Sequence, residues 1–334
     1  MTTFVRYSLD SAIDRFFDSN TTVTRQQCDE FATSHAGGVP TALDMQGVCS
    51  YTVTAGPNNS KLFQFRDENS IIDMGNITLA QEVHPEFVSS CVYLGTLGES
   101  RPVYIYEMEY LSGTPHIMAR IPQDDISRHG NTIKDFARFF AQSWNNNLQL
   151  CSDATASLLT EFQSNFNLLA EKLPSRFKPN LKQVQKELPS LFSPAFRFAL
   201  SHGDLNPMNI LVNPQTGNVT GVVDWAEAKI LPFGFALYGL ENFFGWMNSE
   251  GWHYYDHHCE LENLFWGTFR EEARNFSDTD LVLVRAARMV GFFYHYGFTF
   301  DAKGVVQGVR KEQQGGSFAY LDAFCASGNG TPLA

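Results

Sequence analysis

The chain has 334 residues, 43% hydrophobic and 14% aromatic, with 29 phenylalanines, which is enough for one large domain or two lobes around a cleft. Its 24 basic and 36 acidic residues leave a formal net charge of −12; that argues against nucleic acid as a partner, because phosphate binding wants a basic surface, and is compatible with a neutral or cationic small molecule. No apolar stretch follows Met1-Thr2-Thr3-Phe4, no window approaches the ~20 apolar residues of a membrane span, and Cys28, Cys49, Cys91, Cys151, Cys259 and Cys325 form no Cys-x-x-Cys pair. Free thiols, a cytoplasmic location and no membrane partner are therefore expected, with oligomeric state left open.

In chain order, Ser8–Phe17 and Thr24–Ser34 read as short amphipathic helices. Asp44–Ala55 and Lys61–Arg66 alternate like strands, with Gly56–Ser60 as the turn between them. Asn76–Val83 reads as a helix, and Cys91–Leu97 and Pro102–Met108 as a second strand pair joined through Gly98-Glu99-Ser100. Glu109–Gly113 changes character, as a hinge or as an ordinary exit from a strand. Beyond it the pattern is mainly helical. Thr132 with Asp135 approximates a capping box, and Ile133, Phe136, Ala137 and Phe140 share one face. Leu158, Leu159, Phe162, Phe166 and Leu169 repeat that spacing, and Leu237–Met247, Glu260–Ala273 and Asp280–Tyr294 give further helices.

The densest chemistry lies in Ser201–Val212 and Val219–Glu227. Ile210-Leu211-Val212 predicts a buried strand, Asn213–Asn218 a turn, and Val219–Val223 the returning strand. Asp224 then arrives at the same end of the hairpin as Asn209, five residues after Asp204. A carboxylate to orient an attacking hydroxyl, with a carboxamide and a second carboxylate for a hard cation, is the polar skeleton of kinase-like phosphoryl transfer.

With these motifs the chain resembles, over nearly its whole length, the aminoglycoside phosphotransferase and choline kinase-like family, most of all its fungal branch. The resemblance rests on His202–Asn209 and Val223–Ala226, with weaker support from Gln46–Val53 and Tyr104–Leu111. It implies an α+β, two-lobed protein-kinase-like fold: a small antiparallel-sheet N-lobe (1–108, nucleotide-binding), a hinge (109–113) and a larger, mostly helical C-lobe (114–334) with the catalytic hairpin (201–227) and an acceptor pocket. It implies Asp204 as the catalytic residue, Asn209 and Asp224 as metal ligands, and ATP and Mg2+ as cofactors. Gly203 stands where protein kinases carry an Arg that docks a phosphorylated activation loop, and no long segment separates Asp224 from the apolar run at Phe233. Both features point to a small-molecule acceptor.

The phosphate side departs from the kinase pattern. The candidate lid, Gly47–Tyr51, has one glycine, and Ser50 serves either a phosphate or the strand turn. Alternation puts Leu62, Gln64 and Arg66 on one face of the third strand and Phe63 and Phe65 on the other, so the basic residue facing a nucleotide is Arg66, with Gln64 as the other candidate. Glu82 is either the ion-pair partner of that residue or a solvated helix position. Met108, Glu109 and Leu111 are the hinge candidates for a base. On the acceptor side the candidates are Asn206, Glu227 and Trp246, in a region rich in aromatics; His202 reads as a brace for its loop. His253, Asp256, His257 and His258 cluster, with His253 and His257 at helical spacing, which fits a solvated helix face better than a zinc site. Two functions compete: an ATP/Mg-dependent kinase of a small-molecule hydroxyl, and a pseudokinase-like binding module or catalyst of non-phosphoryl chemistry.

Overall fold

The computed structural model describes residues 7–301, 304–311 and 318–326; residues 1–4, read above for a leader, lie outside them. The chain divides into two compact units, the first ending at Ser112 and the second beginning at Gly113.

The first unit holds α1 (Leu9–Asn20), α2 (Arg25–Ala36), β1 (Thr41–Ala42), β2 (Ser50–Ala55), β3 (Lys61–Arg66), α3 (Met74–Val83), β4 (Cys91–Leu97) and β5 (Val103–Glu109). The strands form one antiparallel sheet in the order β1-β2-β3-β5-β4. Ser8 caps α1, and Thr24 with Gln27 forms a capping box on α2. Strand alternation aims Tyr51, Val53, Phe63, Phe65, Val103 and Ile105 at one face, where they bury against Ile13, Phe16, Cys28 and Ala32 of the two helices. Each fully buried Phe there contributes about 1.5–3 kcal/mol. The expected strand from Asp44 begins only at Ser50. Gln46 folds the preceding residues into a loop: its Nε2 donates to Leu43 O and Thr52 O, and its Oε1 accepts from Thr52 N at 2.8 Å.

The second unit holds β6 (Thr114–Pro115), α4 (His116–Ala119), α5 (Ile126–Asn145), α6 (Ser152–Lys172), α7 (Lys178–Leu191), β7 (Phe198–Ser201), β8 (Ile210–Val212), β9 (Val219–Val222) and β10 (Lys229–Pro232). A 3₁₀ segment (Phe235–Phe243), β11 (Gly245–Asn248), β12 (Gly251–Tyr254), α8 (His258–Glu272), α9 (Asp278–Gly297), β13 (Phe298–Phe300) and β14 (Val306–Val309) follow. The fold is thus α+β, a small antiparallel sheet in one unit and mostly helix in the other, as expected. α5 buries Ile133, Phe136, Ala137 and Phe140 on one face.

Three local readings are corrected. Thr132 and Asp135 do not cap a helix, since α5 starts at Ile126 behind its own cap, Asp125. Leu237–Met247 is not one helix: the apolar run is 3₁₀ up to Phe243 and then enters a hairpin, whose turn is closed by Asn248 Oδ1 accepting from Glu250 N (2.8 Å) and Gly251 N (3.2 Å). His253 lies on β12 and His257 just before α8, so the two are not one helical turn apart. All six cysteines are free, and among the described residues no helix is long and apolar enough to cross a membrane.

Candidate functional site

The second unit's hairpin brings three polar residues together. β8 and β9 pair antiparallel with Ile210 opposite Val222, so the residues just outside them meet, and Val223 N donates to Asn209 O at 2.9 Å. Asp224 follows directly. Asn209 Nδ2 donates to Asp204 O (2.9 Å) and Asp204 Oδ2 (3.1 Å), which turns its Oδ1 away from Asp204 as an oxygen donor. Asp224 is exposed and has φ 64, a left-handed conformation that Asp tolerates better than most residues. Asn209 Oδ1 and the Asp224 carboxylate are hard donors suited to Mg2+. Among the described residues no group of three or more His, Cys, Asp or Glu side chains could hold a metal. The pair therefore fits an ion that brings phosphate oxygens with it rather than one caged by protein. The same finding removes a metal site at His253, Asp256, His257 and His258.

The turn of the hairpin is tied to α5. Thr132 Oγ1 donates to Gly217 O (2.6 Å), Asn131 Nδ2 to Thr216 O (2.8 Å) and Arg128 Nη1 to Pro214 O (2.7 Å). The buried Asp135 carboxylate accepts from Asn218 Nδ2 (2.9 Å), Val219 N (3.0 Å) and Arg138 Nη1 (2.8 Å). What the sequence offers as a cap signal is instead the anchor of the hairpin, made across more than 80 residues.

Behind the loop, His202 is buried. Its Nε2 lies 2.8 Å from Val223 O, an acceptor only, so Nε2 carries the proton. Burial lowers its pKa, outweighing that carbonyl and the Asp224 and Asp204 charges, which act the other way. A neutral His202, packed 4.6 Å from the Trp225 ring, braces the hairpin as expected. Asn206 spends its carboxamide on the loop itself: Oδ1 accepts from Met208 N (2.8 Å) and Nδ2 donates to Asp204 O (3.3 Å). Glu227 is half-buried, and burial, with Asp204, Asp224 and Asp301 adding to it, raises its pKa. Tyr238, absent from the sequence-based candidates, touches both sides of Asp204: its hydroxyl donates to Gly203 O (2.9 Å) and accepts from Leu205 N (2.8 Å). Trp246 is half-buried on β11, its ring stacked on His253 (5.2 Å) and Tyr255 (5.7 Å).

In the first unit, Gly47 is exposed in the Gln46 loop, and the buried Ser50 hydroxyl lies 3.4 Å from Thr52 Oγ1 on its own strand. Gln64 and Arg66 share a face as predicted, but Arg66 Nε donates to Ser70 O (2.6 Å) and Nη1 to Gln64 Oε1 (3.2 Å). Glu82 sits exposed on α3 and is not the partner of Arg66. Lys61 pairs instead with Glu107 (2.9 Å). Of the hinge candidates, half-buried Met108 sits between Leu62 and Cys91 in the sheet, while Glu109 O already accepts from Ser89 Oγ (2.6 Å). Tyr110 N donates to Ser60 O (3.0 Å), and Leu111 is half-buried beyond the strand.

The sequence profile of the phosphotransferase enzyme family matches residues 78–245, a span that includes the whole hairpin of residues 201–227. No curated protein sequence matches the chain. Among solved structures, a candidate aminoglycoside phosphotransferase of Ralstonia eutropha JMP134 is 14% identical, with a TM-score of 0.55 over 93% of this chain and 95% of that one. That likeness is one of fold. Spectinomycin phosphotransferase APH(9)-Ia, solved with ADP and spectinomycin, is 15% identical (TM-score 0.49; 90% and 94% covered). Choline kinase of Cryptosporidium parvum Iowa II is 11% identical (TM-score 0.46; 82% and 87% covered).

Proposed function

Because the chain belongs to the phosphotransferase enzyme family, we propose that it transfers the γ-phosphoryl group of ATP to a hydroxyl of a small molecule. The hydroxyl oxygen bonds to the γ-phosphorus as the bond to the β–γ bridging oxygen breaks, giving the phosphate ester, ADP and a proton. The observation that carries this reading is the convergence of Asp204, Asn209 and Asp224 on one hairpin end. Asp204 accepts a hydrogen bond from the attacking hydroxyl and aims it; in such reactions most of the acceleration is positioning and charge stabilisation. Asn209 Oδ1 and Asp224 hold Mg2+, which when bound neutralises phosphate charge. Glu227, whose pKa the Asp204 and Asp224 charges help to raise, borders the acceptor, and Trp246 offers it an aromatic wall. Six free thiols suit a reducing, cytoplasmic setting.

A second reading, a binding module that has lost phosphoryl transfer, draws on β3 and the hinge. No Lys of β3 is available to phosphates, since Lys61 is paired with Glu107, and Arg66 is bound to Ser70 and Gln64. The Glu109 carbonyl is likewise engaged. A thermal melt separates the two. A ligand at 100 times its Kd adds about 2.7 kcal/mol of stability, so millimolar MgATP should raise Tm by several degrees. An unchanged Tm would favour the binding module.

A further inference from the structure

Asp204 sits on a loop, and loops hold a carboxylate to a line of attack only if their backbone is held. The groups flanking it are the Gly203 carbonyl and the Leu205 amide, and a single atom, Tyr238 Oη, binds both, at 2.9 and 2.8 Å. Tyr238 is 4% exposed and Leu205 is fully buried. The next residue, Gly239, runs so close that a Cβ there would lie 2.5 Å from Leu205 O. The Tyr238 ring is itself stacked on His295 of α9 at 4.2 Å and 17°, with Tyr296 edge-on at 6.0 Å. One segment remote in sequence thus meets the backbone on either side of the carboxylate, and α9 backs its ring.

We infer that Tyr238 is a positioning residue for phosphoryl transfer, its hydroxyl fixing the direction of Asp204 and His295 fixing the Tyr238 ring. The phenol is the right group for this. It gives one hydrogen bond and takes one, matching one carbonyl and one amide, and burial raises its pKa well above the ordinary value, so the donated proton is retained at any physiological pH. Tyr238→Phe removes both bonds and keeps the ring against His295. The role in turnover rests on the phosphotransferase reading; the hold on the loop does not.

The experiment is Tyr238→Phe, read in two ways. Amide hydrogen exchange at Leu205 should accelerate at least ~10-fold. ADP release from MgATP, with water as the acceptor, should show kcat lowered about 10–100-fold and the nucleotide KM within about threefold, the split expected when orientation rather than binding is lost. Unchanged exchange overturns the inference, and so does faster exchange with unchanged kcat. If the variant does not fold, the wild-type Leu205 amide decides: exchange as fast as that of an unprotected loop amide overturns the hold, and slow exchange supports it. If the wild type itself releases no ADP, the phosphotransferase reading fails, and exchange in Tyr238→Phe still tells whether Tyr238 holds the loop.

Discussion

Asp204→Ala is expected to lower kcat by about 10²–10⁴-fold, the range for removing a residue that manages the nucleophile's proton, while leaving the fold and nucleotide affinity nearly intact. The separation follows from the bonding. The Asp204 side chain accepts from Asn209 Nδ2 at 3.1 Å, but the same nitrogen also donates to the Asp204 backbone carbonyl at 2.9 Å. Truncation therefore leaves Asn209 anchored and its Oδ1 aimed as before. Asp204 is only half-buried, and losing one such bond costs about 1 kcal/mol. ADP release and a urea melt on the same protein check both halves. Full turnover in the variant would remove Asp204 from the role assigned to it.

Gly203→Ala should be far more damaging to the fold than its single methyl suggests. Gly203 has φ 85, where a residue with a Cβ pays roughly 1–2 kcal/mol. The added Cβ would also stand 2.4 Å from Glu227 O and 2.8 Å from Glu227 Cβ. The oxygen belongs to backbone and has no flexible arm to swing away, so the loop, the turn after Asp224, or both must shift. A total loss of about 2–4 kcal/mol is expected, seen as a lower urea midpoint, with turnover falling along with it because Asp204 is the next residue. An Ala variant as stable as the wild type would mean that the turn before Asp204 is not built as described.

The hairpin was legible because everything it needs is local. Apolar triplets, a Pro/Gly turn and three polar residues within about 25 positions carry its register and its convergence. What escaped depends on distance. Nothing near Tyr238 marks it as a partner of a loop 35 residues earlier, and the stretch around it, Leu237–Met247, reads as plain apolar helix. Thr132 and Asp135 carried a real signal, paired polar residues on an apolar helix, but a cap and a tertiary anchor look alike until the hairpin turn is set against α5. Asn248-Ser249-Glu250-Gly251 carries turn residues between β11 and β12, but the apolar run before it reads as helix up to Met247. Alternation places Arg66 on the face of β3 opposite Phe63 and Phe65, yet says nothing of the turn that supplies Ser70 O.

The most direct test of the central claim, a metal-bridged nucleotide site at the hairpin end, is a calorimetric titration of wild type and Asp224→Asn with ATP, with and without Mg2+. Asn is the appropriate replacement because it tolerates the left-handed backbone at this position. Binding in the wild type that depends on Mg2+ and weakens at least ~10-fold in Asp224→Asn, about 1.4 kcal/mol, is the predicted result. No heat in either protein, or equal binding in both whether or not Mg2+ is present, would contradict it.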